Sequence, residues 1–178
     1  MSATPPLPRR LLLAGAGVGA AALGAAFAWR RLAPPALPAS PAAQAFWQRL
    51  FPGLDGTELD AARWRGRPLL VNFWATWCPP CVKELPEINQ FYNEAKGRGW
   101  QVLGLAVDQA GPVSAFLKKT PLDFPVALAG PQGLALVREL GNPAGGLPFS
   151  LAFDADGEIR WRRLGVSRLE ELRELART

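Results

Sequence analysis

Uncharged, mostly apolar residues run from Leu11 to Trp29, a pattern that the rest of the chain does not repeat. Beyond Phe46, short apolar runs alternate with stretches of helical spacing. PLLVNFWA, residues 68 to 75, lies between Gly66 and a cysteine-bearing loop, and its near-continuous apolar character predicts a strand buried on both faces at the centre of a sheet. From Pro79 to about Lys96, Val82, Leu85, Ile88 and Phe91–Tyr92 recur at a helical period, with Pro86 expected to kink the helix and Gly97 to cap it. QVLGLAVD, residues 101 to 108, predicts a second buried strand. A short helix over Val113 to Lys119 and a short strand over residues 124 to 128 follow, then a helix over Gln132 to Leu140 that stops at Gly141. FSLAFDADGEIRWRRLG reads as a hairpin turning at Asp154 to Gly157. Ser167, with Glu170 three residues on, predicts a capping box that opens a last helix. Strand–helix alternation followed by a hairpin and a helix predicts an α/β sandwich with a mixed sheet.

Composition divides the chain before the first of these strands. Arg9–Arg10 and Arg30–Arg31 flank the apolar stretch, and the first acidic residue is Asp55. Residues 1–31 read as a signal or membrane-anchor segment. At about 1.5 Å per residue the stretch just spans a hydrocarbon core about 30 Å thick. Ala26-Phe27-Ala28 and RRLLLAG offer the alternative of a cleaved signal, by Sec or twin-arginine export. An anchor is the expectation. Residues 32–45 form a Pro/Ala-rich linker, and residues 46–178 suffice for one domain with its own core. The net charge of +5 and pI of 9.9 come from basic residues that are scattered or paired. A solvated basic surface is expected rather than a nucleic-acid site.

Candidate chemistry concentrates at Cys78 and Cys81, the two cysteines of a chain without histidine. Two cysteines make neither a staple framework nor a four-ligand zinc site, so no metal and no cofactor is expected. Cys78 falls where the buried strand gives way to the helix, with Pro79 at the first helical position, which predicts Cys78 as the N-cap. The positive end of the helix and its unpaired N–H groups would there favour an exposed, nucleophilic thiolate. Cys81, one turn further in, is placed to close a disulfide with Cys78 or to attack a mixed disulfide formed there. The bland alternatives are two apolar core cysteines, or a non-catalytic interaction domain with a structural disulfide. Trp77, directly before Cys78, is expected to shield the pair and to offer partners a flat apolar surface.

VNFWATWCPPCVKELP resembles the active-site segment of the thioredoxin superfamily, and more narrowly that of TlpA/ResA-like membrane-tethered thiol-disulfide oxidoreductases. The likeness extends over about Leu50 to Thr178, including GLPFSLAFDADGEI. It implies a thioredoxin-like α/β fold, a central mixed sheet flanked by helices. It also implies a cis proline at Pro148 facing the disulfide, with Leu147 and Pro148 contacting substrate beside Trp77. Phe149 departs from the small polar residue of many relatives, and Asn72 stands where ordinary thioredoxins carry a buried aspartate. Glu84 matches a glutamate that lies near the thiols in this branch. At i+3 from Cys81 it shares a helix face with it, and is expected to relay a proton with its pKa raised by burial.

The resemblance further implies an envelope or periplasmic reductase, recharged by a membrane electron donor of the DsbD/CcdA type. Its clients would be disulfide-bearing proteins of cytochrome c or copper-site maturation. A monomer is expected. A peroxiredoxin-like thiol peroxidase is the competing activity. It would need a threonine three residues before its cysteine, where this chain has Ala75, with Thr76 adjacent.

Overall fold

A computed structural model describes residues 40–130 and 132–177. The anchor or signal segment and the linker up to residue 39 lie outside the described residues. Helix α1 (Pro41–Trp47) leads into a two-stranded hairpin, β1 (Leu50–Pro52) and β2 (Glu58–Asp60), and a 3₁₀ turn at Ala61–Trp64. The main sheet is built from β3 (Leu69–Trp74), β4 (Gln101–Ala106), β5 (Val126–Leu128), β6 (Phe149–Phe153) and β7 (Ile159–Leu164). Between them run α2 (Pro79–Ala95), α3 (Ala110–Lys119) and α4 (Gly133–Glu139), and α5 (Leu169–Leu175) closes the domain.

Strand order is β5-β4-β3-β6-β7; β3, β4 and β5 are mutually parallel, while β6 runs antiparallel to β3 and β7 antiparallel to β6. The strand that carries the chain into the cysteine loop is therefore the central one. Every residue of β3 is buried, and its side chains alternate between two cores. Leu69, Val71 and Phe73 join Leu103, Leu105, Phe149 and Leu151 beneath α1 and α4. Leu70 and Trp74 join Val102, Ala106 and Ala152 beneath α2, α3 and α5. At about 1.5–3 kcal/mol for each large apolar side chain taken wholly out of water, these two layers supply the main driving force for the fold. Gly104 on β4 keeps the second layer tight: a Cβ there would come within 3.0 Å of Phe124 and 3.3 Å of the Trp74 indole nitrogen.

Four boundaries differ from the sequence expectation. The domain begins before Phe46, because Ser40 caps α1 by accepting from the Ala43 N–H (3.2 Å), and Ala43, Phe46 and Trp47 bury one face of that helix. The Ser40 N–H to Glu158 carboxylate bond (3.0 Å) and the Trp47 indole to Gly157 carbonyl bond (2.8 Å) pin α1 to the β6–β7 turn. After α2 the chain continues as a 3₁₀ turn over Lys96–Arg98, so Gly99 (φ 93°), not Gly97, takes the left-handed conformation. Helix α3 starts at Ala110 because Pro112 falls within the first turn, where a missing N–H costs nothing. Helix α5 is capped one residue later than expected. Arg168 is its N-cap, and Glu171 rather than Glu170 accepts the N-cap N–H (3.4 Å). Ser167 is drawn away from capping because its N–H is already bonded within the core.

Candidate active site

At the end of β3 the chain turns through Ala75–Trp77 into α2. Cys78 is the N-cap, with φ −106° and ψ 97°. Its N–H donates to the Ala75 carbonyl (3.2 Å) and its own carbonyl accepts the first helical bond, from Val82 (3.1 Å). Cys78 and Cys81 are joined in a disulfide, with Cα atoms 5.3 Å apart. The geometry amends two expectations. Pro79 and Pro80 carry no N–H, so Cys81 supplies the one amide hydrogen among the first three helical residues. A sulfur at Cys78 thus has the helix dipole and at most one amide donor from these three residues, and in the bridged form its side chain makes no capping hydrogen bond. Secondly, Cys78 is only 5% exposed and Cys81 wholly buried, since the bridged pair packs into the core under α2. The accessible apolar surface beside them belongs instead to Trp77, 61% exposed.

The loop that presents Trp77 and Cys78 is clamped from the connection just after β4. Both the N–H and the hydroxyl of Thr76 donate to one Asp108 carboxylate oxygen, at 2.9 and 2.6 Å. Burial pushes the Asp108 pKa up, but the bonds from Thr76 and from the Gln109 N–H outweigh it and hold the carboxyl below its ordinary value. With its hydroxyl committed to Asp108, and with Ala75 wholly buried, Thr76 is not arranged as a free peroxide-binding group. Trp77 opens onto a groove of about 700 Å³ lined also by Pro52, Val107, Asp108, Leu128 and Leu134.

The Leu147–Pro148 peptide bond is cis. Pro148 is buried, and its carbonyl accepts from the Gly165 N–H (3.0 Å), so that oxygen is already engaged. Leu147 is half-buried and packs against both cores. Phe149, which departs from the small polar residue of many relatives, is wholly buried and stacks on Phe73 with ring centroids 6.0 Å apart.

Glu84 lies one turn beyond Cys81 and is 1% exposed. One carboxylate oxygen accepts from the Asn72 amide nitrogen (2.7 Å), the other from the Ser167 N–H (2.6 Å). The Asn72 nitrogen also donates to the Ser150 hydroxyl (3.0 Å). Burial raises the Glu84 pKa to about 7, partly offset by the bonds from Ser167 and Asn72, with the nearby Glu87 carboxylate pushing further upward. A carboxyl so placed can hold or yield a proton near neutral pH, one helical turn from the second cysteine. The pairing with Ser150 and Ser167 escaped the sequence reading. Its one visible signal was that Asn72 and Ser150 interrupt otherwise apolar, fully buried strands, where a polar side chain must find a partner.

The sequence model of the Redoxin family matches residues 37–177. The thiol-disulfide oxidoreductase ResA of Bacillus thuringiensis subsp. konkukian is 33% identical over 122 residues, which cover 68% of each chain. A thioredoxin-family thiol:disulfide interchange protein of Chlorobium tepidum superposes with a TM-score of 0.66 at 26% identity, over 81% of this chain and 97% of that one. StoA from Bacillus subtilis superposes with a TM-score of 0.57 at 26% identity, over 71% of this chain and 93% of that one.

Proposed function

Since this chain belongs to the Redoxin family and, within it, to the TlpA/ResA-like thiol-disulfide oxidoreductases of the thioredoxin superfamily, we propose that it works as a reductase of client-protein disulfides in the bacterial envelope. The observation that carries this reading is a Cys78–Cys81 bridge at the mouth of α2, with exposed Trp77 on one side and buried Glu84 one turn behind.

In the dithiol form, the Cys78 thiolate attacks one sulfur of the client disulfide. The client S–S bond breaks, a Cys78–client bond forms, and the client's other sulfur leaves as a thiolate. Cys81 then gives its proton to the Glu84 carboxylate and attacks Cys78, closing the Cys78–Cys81 bridge and expelling the second client sulfur. That leaving sulfur is protonated in turn. The client has gained two electrons and the protein has lost them. A dithiol donor in the membrane, of the DsbD/CcdA type, restores the reduced form, and the uncharged stretch from Leu11 to Trp29 would hold the domain beside it as an anchor. The groove beside Trp77 and the Leu147–Pro148 segment seat the client chain, and apocytochromes c or copper-site proteins are the proposed clients.

Cys81→Ser stops the cycle after its first step. Expressed in its native envelope, this variant is expected to accumulate a client held on Cys78, visible as a band that collapses on reduction and identifiable by mass spectrometry. A folded Cys81→Ser chain that captures no cysteine-bearing protein would overturn the reading.

A further inference from the structure

The Asn72 amide is half-used. Its nitrogen makes two bonds, to Glu84 and Ser150, while its carbonyl oxygen is buried without a hydrogen-bond partner. A wholly buried orphan acceptor is costly. It lies on the same planar group as a donor that faces a carboxylate.

We propose that Asn72 is a reversible positioning residue for Glu84, its amide turning over so that Nδ2 faces the carboxylate when Glu84 is ionised and Oδ1 faces it when Glu84 carries a proton. The inference rests on Glu84 exchanging a proton during turnover. An ionised carboxylate only accepts hydrogen bonds, whereas a protonated one also donates, and a buried O–H needs an acceptor. The Ser167 N–H is a fixed backbone donor to Glu84 Oε2, so the proton goes to Oε1, the oxygen that faces Asn72. With Nδ2 left in place, that O–H would point at a donor. Turned about its broad, roughly two-fold terminal torsion, the amide presents Oδ1 instead, which accepts both from Glu84 and from the Ser150 hydroxyl, itself free to donate or accept. Either orientation makes two bonds and leaves one end of the amide unpaired, so neither is favoured by bond count and the proton on Glu84 decides.

An ionised aspartate in this position could offer only acceptors to an ionised Glu84, and would add a like charge. The surroundings leave the choice to Asn72. β3 and β6 present Asn72 and Ser150, both uncharged, and the β7–α5 connection presents the Ser167 N–H. On α2, Glu87 acts on Glu84 by charge, and the Cys78–Cys81 pair lies one turn ahead. Lys83, Arg163, Arg168 and Glu170 line the groove that Glu87 also borders, outside this buried pocket.

Carbon-13 and nitrogen-15 NMR of the oxidised full chain, titrated from about pH 5 to 9 across the Glu84 transition, tests the proposal. The side-chain carboxyl carbon of Glu84 and both the amide nitrogen and carbonyl carbon of Asn72 are expected to move with one shared midpoint. The Asn72 N–H protons should lose their hydrogen-bonded shifts as the pH falls. In Asn72→Leu, which removes a partner of both protonation states, the Glu84 midpoint should move by less than about half a unit; loss of a fixed donor to the charged form alone would raise it by about one unit or more. Asn72 resonances that stay still while Glu84 titrates, or a midpoint raised by that larger amount, overturn the amide's role and leave the relay standing. A Glu84 that does not titrate in this range sinks the relay and the proposal together. Should the leucine variant not fold, the unmodified chain alone decides.

Discussion

Cys78→Ser is expected to bring disulfide reduction down to the rate of the uncatalysed reaction, while the fold stays intact. The thiolate is the species that attacks a disulfide, and a serine hydroxyl does not replace it. The loss should be total because the alternative attacker, Cys81, is wholly buried. The fold should survive because the bridge joins residues only three apart and closes too short a loop to stabilise much. The layers on both faces of β3 rest on other side chains. Turnover of a small disulfide substrate, together with a thermal melt, checks both halves. Residual catalysis above background in Cys78→Ser would mean that the attacking sulfur has been misassigned.

Glu84→Gln is expected to have two opposite effects. Gln accepts from the Ser167 N–H as Glu does, but takes up no proton in this range. Stripped of its base, the closure step on Cys81 should slow by about 10²-fold or more at pH 8, in line with the contribution of a positioned general base. In the unmodified chain that step should accelerate as the pH rises through about 7, where Glu84 ionises. The variant should stay slow and flat across that window.

Stability should move the other way. Burial raises the Glu84 pKa from 4.5 to about 7, so the folded state holds this proton more tightly than the unfolded chain does. The stabilising contribution is fully present below about pH 4.5 and is lost as the pH rises through about 7. The loss amounts to about 3 kcal/mol. Glu84→Gln, neutral throughout, should therefore be more stable than the parent at pH 8 by up to that amount. Urea melts at pH 5 and pH 8 measure it, and a variant destabilised at pH 8 would show that the charged form of Glu84 is the one the fold favours. Such an exchange of stability for activity is common at sites that bury a working group.

The strands were readable because β3 and β4 are covered on both faces and so appear in the sequence as unbroken apolar runs. Cys78 could be placed as an N-cap because it follows the apolar strand after a short turn and is succeeded directly by Pro79. Local spacing failed where a tertiary bond competes with a local one. Ser167 has the chemistry of a cap, but Glu84, 83 residues away in sequence, takes its N–H, and the helix starts one residue on. Ser40 sits in a stretch that reads as a Pro/Ala-rich linker, yet its N–H is bonded to Glu158, 118 residues distant. The same limit hid the pairing of Asn72 with Ser150, since nothing on either strand shows that antiparallel register sets them opposite each other. The sequence marks the helix end but not how the bridged pair packs into the core, so it overstates the exposure of Cys78.

The central claim, that the Cys78–Cys81 bridge is a working redox couple and not a strut, is tested most directly by equilibrating the folded full chain with graded mixtures of reduced and oxidised dithiothreitol while following tryptophan fluorescence. One reversible two-electron transition, with far-ultraviolet circular dichroism unchanged across it, is the predicted result. A bridge that stays closed in excess dithiol until the chain is unfolded would contradict it.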